Sequence, residues 1–308
     1  MTTSKIFKGL VMTPNPAGQS LGEFVISFDM ELGWGSIENG QWSILQDTGV
    51  FERTRPAVQR LLEALDDFEI QATWGVVGCA IIPAEERDWD HLPAAVRDSI
   101  ASAVSIAKHE TFDGRDLLEA VASRRVGHAF CSHTYSHFRL THPLATRSAA
   151  LEELRRFRAC FPRELALRDR LIFPRNAEAF LDEVREAGIA TIRGTDRDLR
   201  NTWRGRVRRF LADCSSPAAS RRELVGAGLW RETDSLIFHT SRRPWRMRRL
   251  RRRAAHALTM LAHRRQTFHI WLHPFDLGAE PGLLECLVDH LRLVARLRDE
   301  GKLIVRLF

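Results

Sequence analysis

The stretch Glu23-Phe24-Val25-Ile26-Ser27-Phe28-Asp29-Met30-Glu31 sets a nearly unbroken apolar run against an acidic end. Phe24, Val25, Ile26 and Phe28 follow no helical period, which reads as a strand covered on both faces. Further β-rich runs fall at Gln71 to Val77, Val126 to Cys131, Leu171 to Phe173, Ala190 to Ile192, Leu236 to Phe238, Phe268 to Leu272 and Leu303 to Leu307. Helical spacing lies between most of them. Pro56 with Val58, Leu61, Leu62 and Leu65 forms one amphipathic pattern. Leu151 to Cys160, Ala177 to Ala187 (closed by Gly188) and Leu283 to Arg298 (closed by Gly301) form others. A repeated βα unit with about seven to eight strands predicts an α/β protein, either one parallel barrel or one open sheet. In both architectures, chemistry gathers at the C-terminal ends of the strands.

Size permits this. The chain has 308 residues and is 44% hydrophobic, enough for one large α/β domain or two ordinary ones. Residues 1–21 read as an N-terminal extension and 22–308 as the folded part. Cys79, Cys131, Cys160, Cys214 and Cys286 are odd in number and lack CxxC spacing, which argues against a disulfide framework and against a cysteine zinc site. From Met1 to Ser20 there is no apolar stretch long enough for a signal-peptide core. No segment approaches the roughly eighteen apolar residues of a membrane span, so the expected location is the cytoplasm.

The polar residues obey the strand-end rule. Asp29 and Glu31 follow the first apolar run, Ser132 to His137 follow the third, and His273 follows Trp271-Leu272. His133 and His137 are four apart, so a helical turn or a compact loop brings both rings to one side. An HxxxH pair alone is a weak signal, since histidines are common in cores and on surfaces. A strand-end carboxylate strengthens it. Two neutral imidazoles and one carboxylate hold a divalent ion and leave positions for water and substrate, as hydrolytic zinc sites do. His128 reads as a hydrogen-bonded core residue.

Four phrases then carry a resemblance: Phe28-Asp29-Met30-Glu31; Gln71-Ala72-Thr73-Trp74-Gly75-Val76-Val77-Gly78; Gly127 through His137; and Trp271-Leu272-His273-Pro274. In order and spacing they resemble the motifs of the polysaccharide deacetylase family, carbohydrate esterase family four, which includes the nodulation-type chitooligosaccharide deacetylases. The resemblance implies a distorted (β/α) barrel and metal-dependent removal of an N-acyl group from an amino sugar. It matches Asp29 to the catalytic base, Glu31, His133 and His137 to the metal ligands, and His273 to the acid that protonates the leaving amine. The family's metal carboxylate is usually aspartate. In Leu171-Ile172-Phe173-Pro174-Arg175-Asn176, Ile172 stands where the motif arginine falls, and Arg175 is the expected replacement. Asp196 corresponds to the fourth motif, whose tryptophan is missing. The expected cofactor is one divalent ion, zinc first, with nickel, cobalt and iron open.

Two further regions bear on substrate. Trp34 and Trp42, in the polar, glycine-bearing loop Leu32 to Val50, either stack on a sugar ring or pack the loop. Between Ser241 and Arg265 there are ten arginines and no acid; with those ten set aside, the net charge of +7 becomes −3. Met247, Leu250, Ala254, Leu258 and Leu261 form an apolar stripe there, leaving Arg248, Arg249, Arg252 and Arg253 to meet an anion. The expected partners are an N-acylated amino sugar, phosphorylated or lipid-linked, and an anionic membrane surface at the inner face. Nucleic acid is disfavoured because the charge is confined to one segment. Two other readings stay open: a related C–N hydrolase, deformylase-like, on a lipid- or nucleotide-linked sugar, and a non-catalytic barrel that binds anions through the arginine helix.

Overall fold

Alternation along β1 (Gly22–Met30) organises the molecule. Phe24, Ile26 and Phe28 point outward into the main core under the helices, and all three are fully buried. Side chains of this size each contribute about 1.5–3 kcal/mol by leaving water. The intervening Val25, Ser27 and Asp29 face the barrel interior, where Val25 packs with Cys131, Ile172 and Phe308. The computed structural model describes residues 21–162, 165–194, 217–226, 228–239 and 244–308. The expected extension therefore lies, apart from Leu21, outside the described residues.

The remaining strands are β2 (Thr73–Val76), β3 (Ala129–Ser132), β4 (Ala166–Ile172), β5 (Thr191–Gly194), β6 (Arg222–Val225), β7 (Leu229–Thr233), β8 (Leu236–Ile237), β9 (Thr267–Leu272) and β10 (Leu303–Val305). They join one sheet in the order β6-β7-β5-β4-β3-β2-β1-β9-β8, with β10 also paired to β1. Every pairing of these strands is parallel except β6 with β7. The two ends of the sheet meet through Asp234 and Ser235. Asp234 N–H donates to Gly194 O (3.1 Å) at the end of β5, and Ser235 N–H donates to His269 O (2.8 Å) in β9. Two successive residues thus seam the curled sheet into a distorted (β/α) barrel.

All eight expected strands are present. The β6–β7 hairpin is additional, and two other expectations change. The helix expected at Ala177 to Ala187 is shorter, Leu181–Glu186, because Arg175, Asn176 and Phe180 take left-handed φ of 55°, 48° and 52°. Leu32 to Val50 is not a loop: it holds a 3-10 turn at Leu32–Ser36 and a helix at Gln41–Asp47. Of the two arrangements expected for His133 to His137, a helical turn or a compact loop, the chain takes the compact loop. The basic segment is helical over Pro244–His263 and buries Leu250, Ala254, Ala257, Leu258 and Leu261. Met247 is half-buried. No described helix is long and apolar enough to cross a membrane.

Candidate active site

Glu31, just beyond β1, and His133 and His137, just beyond β3, converge as expected. One ligand atom from each lies within 4.8 Å of the others, and all three residues are buried. His133 Nε2 is 3.1 Å and His137 Nε2 2.7 Å from Glu31 Oε2. His133 Nδ1 lies 2.8 Å from the Ile172 carbonyl. A carbonyl only accepts, so Nδ1 carries the hydrogen and Nε2 turns its lone pair to the carboxylate, the second-sphere pattern of metal-ligating histidines. His137 Nε2 is buried and makes no hydrogen bond despite its closeness to Glu31. Lone pairs converging on a buried carboxylate are what a divalent ion needs, so the residues fit a metal with mixed N and O ligands. Burial alone raises the Glu31 pKa, but the charge of His273 and the imidazoles around it outweigh burial and hold the carboxylate well below its ordinary value. Burial lowers His137.

The chain around this cluster is shaped to hold it. Thr134 and His137 both have φ of 62°, a costly conformation for residues with a Cβ. Glu153 pins that turn, accepting from Tyr135 N–H (3.0 Å), Ser136 N–H (2.9 Å) and Ser136 Oγ–H (2.6 Å), with His91 Nε2 at 2.7 Å. On the other side, Gly35 leaves room for Glu31: a methyl there would overlap the carboxylate.

Asp29 occupies a different environment. Arg193, from β5 and 0% exposed, forks onto it with Nη1 to Oδ1 at 2.7 Å and Nη2 to Oδ2 at 2.5 Å. The same guanidinium donates to Asn176 Oδ1 (3.1 and 3.0 Å) and to Ser27 Oγ (3.1 Å), and its carbon sits 4.4 Å from the Trp271 ring centre. Burial pushes Asp29 up, and the charge and hydrogen bonds of Arg193 more than reverse it, keeping the carboxyl below its usual range. This corrects the expectation for Arg175. That residue is turned outward toward Gly35 O (3.3 Å) and Glu38 (3.6 Å), and Arg193 is the arginine that holds Asp29. Asn176, next to Arg175, supports it. Arg193 had the same signal as Asp29, a charged residue at the C-terminal end of an apolar strand.

His273 follows β9 and reaches the cluster, its Nε2 lying 3.5 Å from Glu31 Oε1. Nδ1 is 3.2 Å from Asp276 Oδ2. Burial works against its charged form, but Glu31 and Asp276 raise its pKa to about 9. Asp276 falls to about 2: burial opposes this, and hydrogen bonds to His239 and His273 outweigh it. His128 is hydrogen-bonded as expected, though half-buried: it accepts from Ala72 N–H (3.2 Å), and burial lowers it to about 4. Trp34 and Trp42 are both buried. Trp34 Nε1–H donates to Phe112 O (2.9 Å), and both rings pack on Phe112, so they anchor the segment after β1 and present no open face for a sugar. Asp196 lies outside the described residues. Arg248, Arg249, Arg252 and Arg253 stand on the helix Pro244–His263, apart from the cluster in sequence.

No family model matches the chain, and no curated protein is similar to it in sequence. Solved structures are similar in fold. A protein from Mycobacterium smegmatis assigned as a polysaccharide deacetylase is 16% identical, with 96% of this chain and 95% of that one covered and a TM-score of 0.51. The allantoinase PuuE is 15% identical, with 98% and 94% covered and a TM-score of 0.54. A GH57-type branching enzyme from Pyrococcus horikoshii is 11% identical, with 92% and 69% covered and a TM-score of 0.53. The fold is thus of the polysaccharide deacetylase type, and the spread of activities among these neighbours leaves function to be argued from the site.

Proposed function

We propose that the chain is a metal-dependent hydrolase of amide C–N bonds that removes the N-acetyl group of an amino sugar or a sugar-containing intermediate. The observation that carries this reading is the convergence of Glu31, His133 and His137 beside two proton-transfer groups of opposite character. A bound divalent ion, zinc first among the candidates, supplies Lewis acidity and a water of lowered pKa. Glu31, His133 Nε2 and His137 Nε2 would hold it. Asp29, kept ionised by Arg193, accepts a proton from the attacking water. His273, kept protonated by Asp276, aims Nε2 at the cluster and delivers its proton to the departing nitrogen. Asp276 fixes that ring through Nδ1. The neighbours assigned as deacetylases and the allantoinase support C–N hydrolysis as the reaction class.

The test pairs elemental analysis with amine release. Wild type should carry one divalent ion per chain, and His133→Ala and His137→Ala should not. Purified protein should release amine from N-acetylated amino sugars in a panel that also holds N-formylated sugars and allantoin. Equal metal content in all three proteins removes the metal assignment. Turnover of allantoin or formamides alone removes the deacetylase and keeps the hydrolase.

A further inference from the structure

The basic helix begins at the catalytic end of the barrel. β8 runs parallel to β9 and ends at Ile237. Two residues on, His239 Nδ1 lies 3.4 Å from Asp276 Oδ1, the carboxylate that orients His273. After its start at Pro244, the helix places Met247 beside Gly282, where a β-carbon would sit 3.7 Å from Met247 Cε. Gly282 opens the helix Pro281–Asp299, which is joined to His273 by the short helix Pro274–Ala279. The basic helix then descends and re-enters the sheet at Thr267, the start of β9. Trp245, Arg246 and Arg248 therefore belong to the rim around the site, and Arg252 lies about one turn below Arg248.

Two independent properties coincide on that rim. The first is charge. The buried stripe of Leu250, Ala254, Leu258 and Leu261 fixes the helix in rotation, so Arg248 and Arg252 are held outward and exposed. The second is apolar exposure. Trp245 is 48% exposed with the Arg246 guanidinium 5.2 Å from its ring centre. Ile44, Ile106 and Leu144 are also exposed, and they lie on the connections that leave the C-terminal ends of β1, β2 and β3. Free phosphate or a nucleic-acid strand would engage the arginines and leave these aliphatic side chains in water. A lipid surface takes both: aromatic rings settle at headgroup level, and arginines pair with lipid phosphates.

We propose that the catalytic end of the barrel docks on an anionic phospholipid surface, with Trp245 entering the headgroup layer and Arg248 and Arg252 pairing with lipid phosphates. Docking in this orientation turns the mouth of the site toward the bilayer, where an amide carried on a lipid would be presented. The proposal goes beyond the hydrolase reading and stands or falls separately from it.

The test is co-sedimentation of the full chain with phosphatidylcholine vesicles containing phosphatidylglycerol, against pure phosphatidylcholine, at low and high salt. Binding to the anionic vesicles is expected and should weaken as salt screens it. Arg248→Gln and Arg252→Gln should each lower partitioning about fivefold, and Trp245→Ala should weaken binding at both salt concentrations. Far-ultraviolet dichroism and metal content should stay at wild-type values, which separates lost docking from lost fold or lost site. No sedimentation with anionic vesicles at low salt overturns the proposal. So does unchanged sedimentation in Arg248→Gln/Arg252→Gln. Binding of a single-stranded oligonucleotide with no preference for vesicles assigns the surface to nucleic acid and overturns it as well.

Discussion

Asp29 and Glu31 stand two residues apart, yet the protein balances their charges in opposite ways. Both Asp29 oxygens are taken by Arg193, whose remaining N–H groups are met by Asn176 and Ser27. An arginine does not deprotonate in the working range, so that half of the site is charge-balanced within the protein. Glu31 meets imidazoles, which are neutral when they turn lone pairs toward it, and His137 Nε2 has no hydrogen bond at all. That half has no fixed cation: its charge is met by a titratable one, the protonated His273 3.5 Å from Oε1, and by a proton or cation added between the lone pairs. The contrast teaches that a buried carboxylate becomes a base or a ligand according to whether its partner is a fixed cation or a lone-pair donor.

The contrast breaks most completely at the imidazoles. His133→Ala or His137→Ala should abolish metal binding and lower turnover about a thousandfold or more, since several kcal/mol of charge stabilisation go with the ion. Asp29→Asn should instead keep the metal and lose about a hundredfold in turnover. Loss of metal in Asp29→Asn would show that the two halves are one unit.

Arg193→Gln tests the fixed pair directly. It leaves Asp29 buried without its cation, and removing one partner of such a pair destabilises by about 3–5 kcal/mol. Denaturant midpoints read this, and a change within error would mean that water reaches Asp29 and replaces the arginine.

A pair of imidazoles sharpens the same point through pH. His273 lies beside carboxylates and is raised to about 9, whereas His290, among Phe24, Phe238 and Phe268, is lowered to about 4 by burial alone. The folded protein thus keeps His290 neutral, while the unfolded chain protonates it near 6.5. Its contribution is full above that pH and is lost as pH falls toward 4, on the order of 3 kcal/mol. His273 has the opposite sign, its contribution present below about 6.5 and lost as pH rises through about 9. His290→Leu should flatten the acid slope of thermal stability without abolishing it, because His128 shifts in the same direction. An unchanged slope would show that His290 is solvated.

The smallest expected effect is at Glu153. Glu153→Gln keeps the size of the side chain but replaces one acceptor oxygen by a donor, loosening the turn that carries His137. Metal affinity should fall about 10- to 100-fold, as when an outer support of a ligand is altered. Titration with a chelator measures this, and wild-type affinity would confine Glu153 to a packing role.

What the sequence makes readable follows from how side chains are satisfied. The eight expected strands declare themselves because their residues are buried on apolar cores, and the metal residues because polar groups interrupt apolar runs at strand ends. The β6–β7 hairpin hides because Arg231 and Glu232 look like surface charges. In the fold both are buried, Arg231 paired with Glu178 and Glu223, and Glu232 with Arg306. The pairs with Glu178 and Arg306 join residues distant in sequence, so no local pattern announces them. Arg193 carries the strand-end signal, but its partner stays hidden, because the pairing with Asp29 depends on the register that brings β5 to face β1 across the barrel. Trp34 and Trp42 mislead in the other direction, since an aromatic in a glycine-bearing stretch looks available until Phe112 covers it.

The place of β1 in the sheet also sets a timetable for synthesis. One edge of β1 meets β2 within the next few dozen residues, but its other edge waits for β9, and Thr267 follows Glu23 by 244 positions. At about 5–20 residues per second, the ribosome needs roughly 10–50 s to supply that partner. Throughout the interval Phe24, Ile26 and Phe28 stand on a strand with an open hydrogen-bonding edge, a template for any other nascent chain nearby. Demand for chaperones during production is therefore expected to track translation speed through the codons that precede β9, and slowing the ribosome there should raise the aggregated fraction.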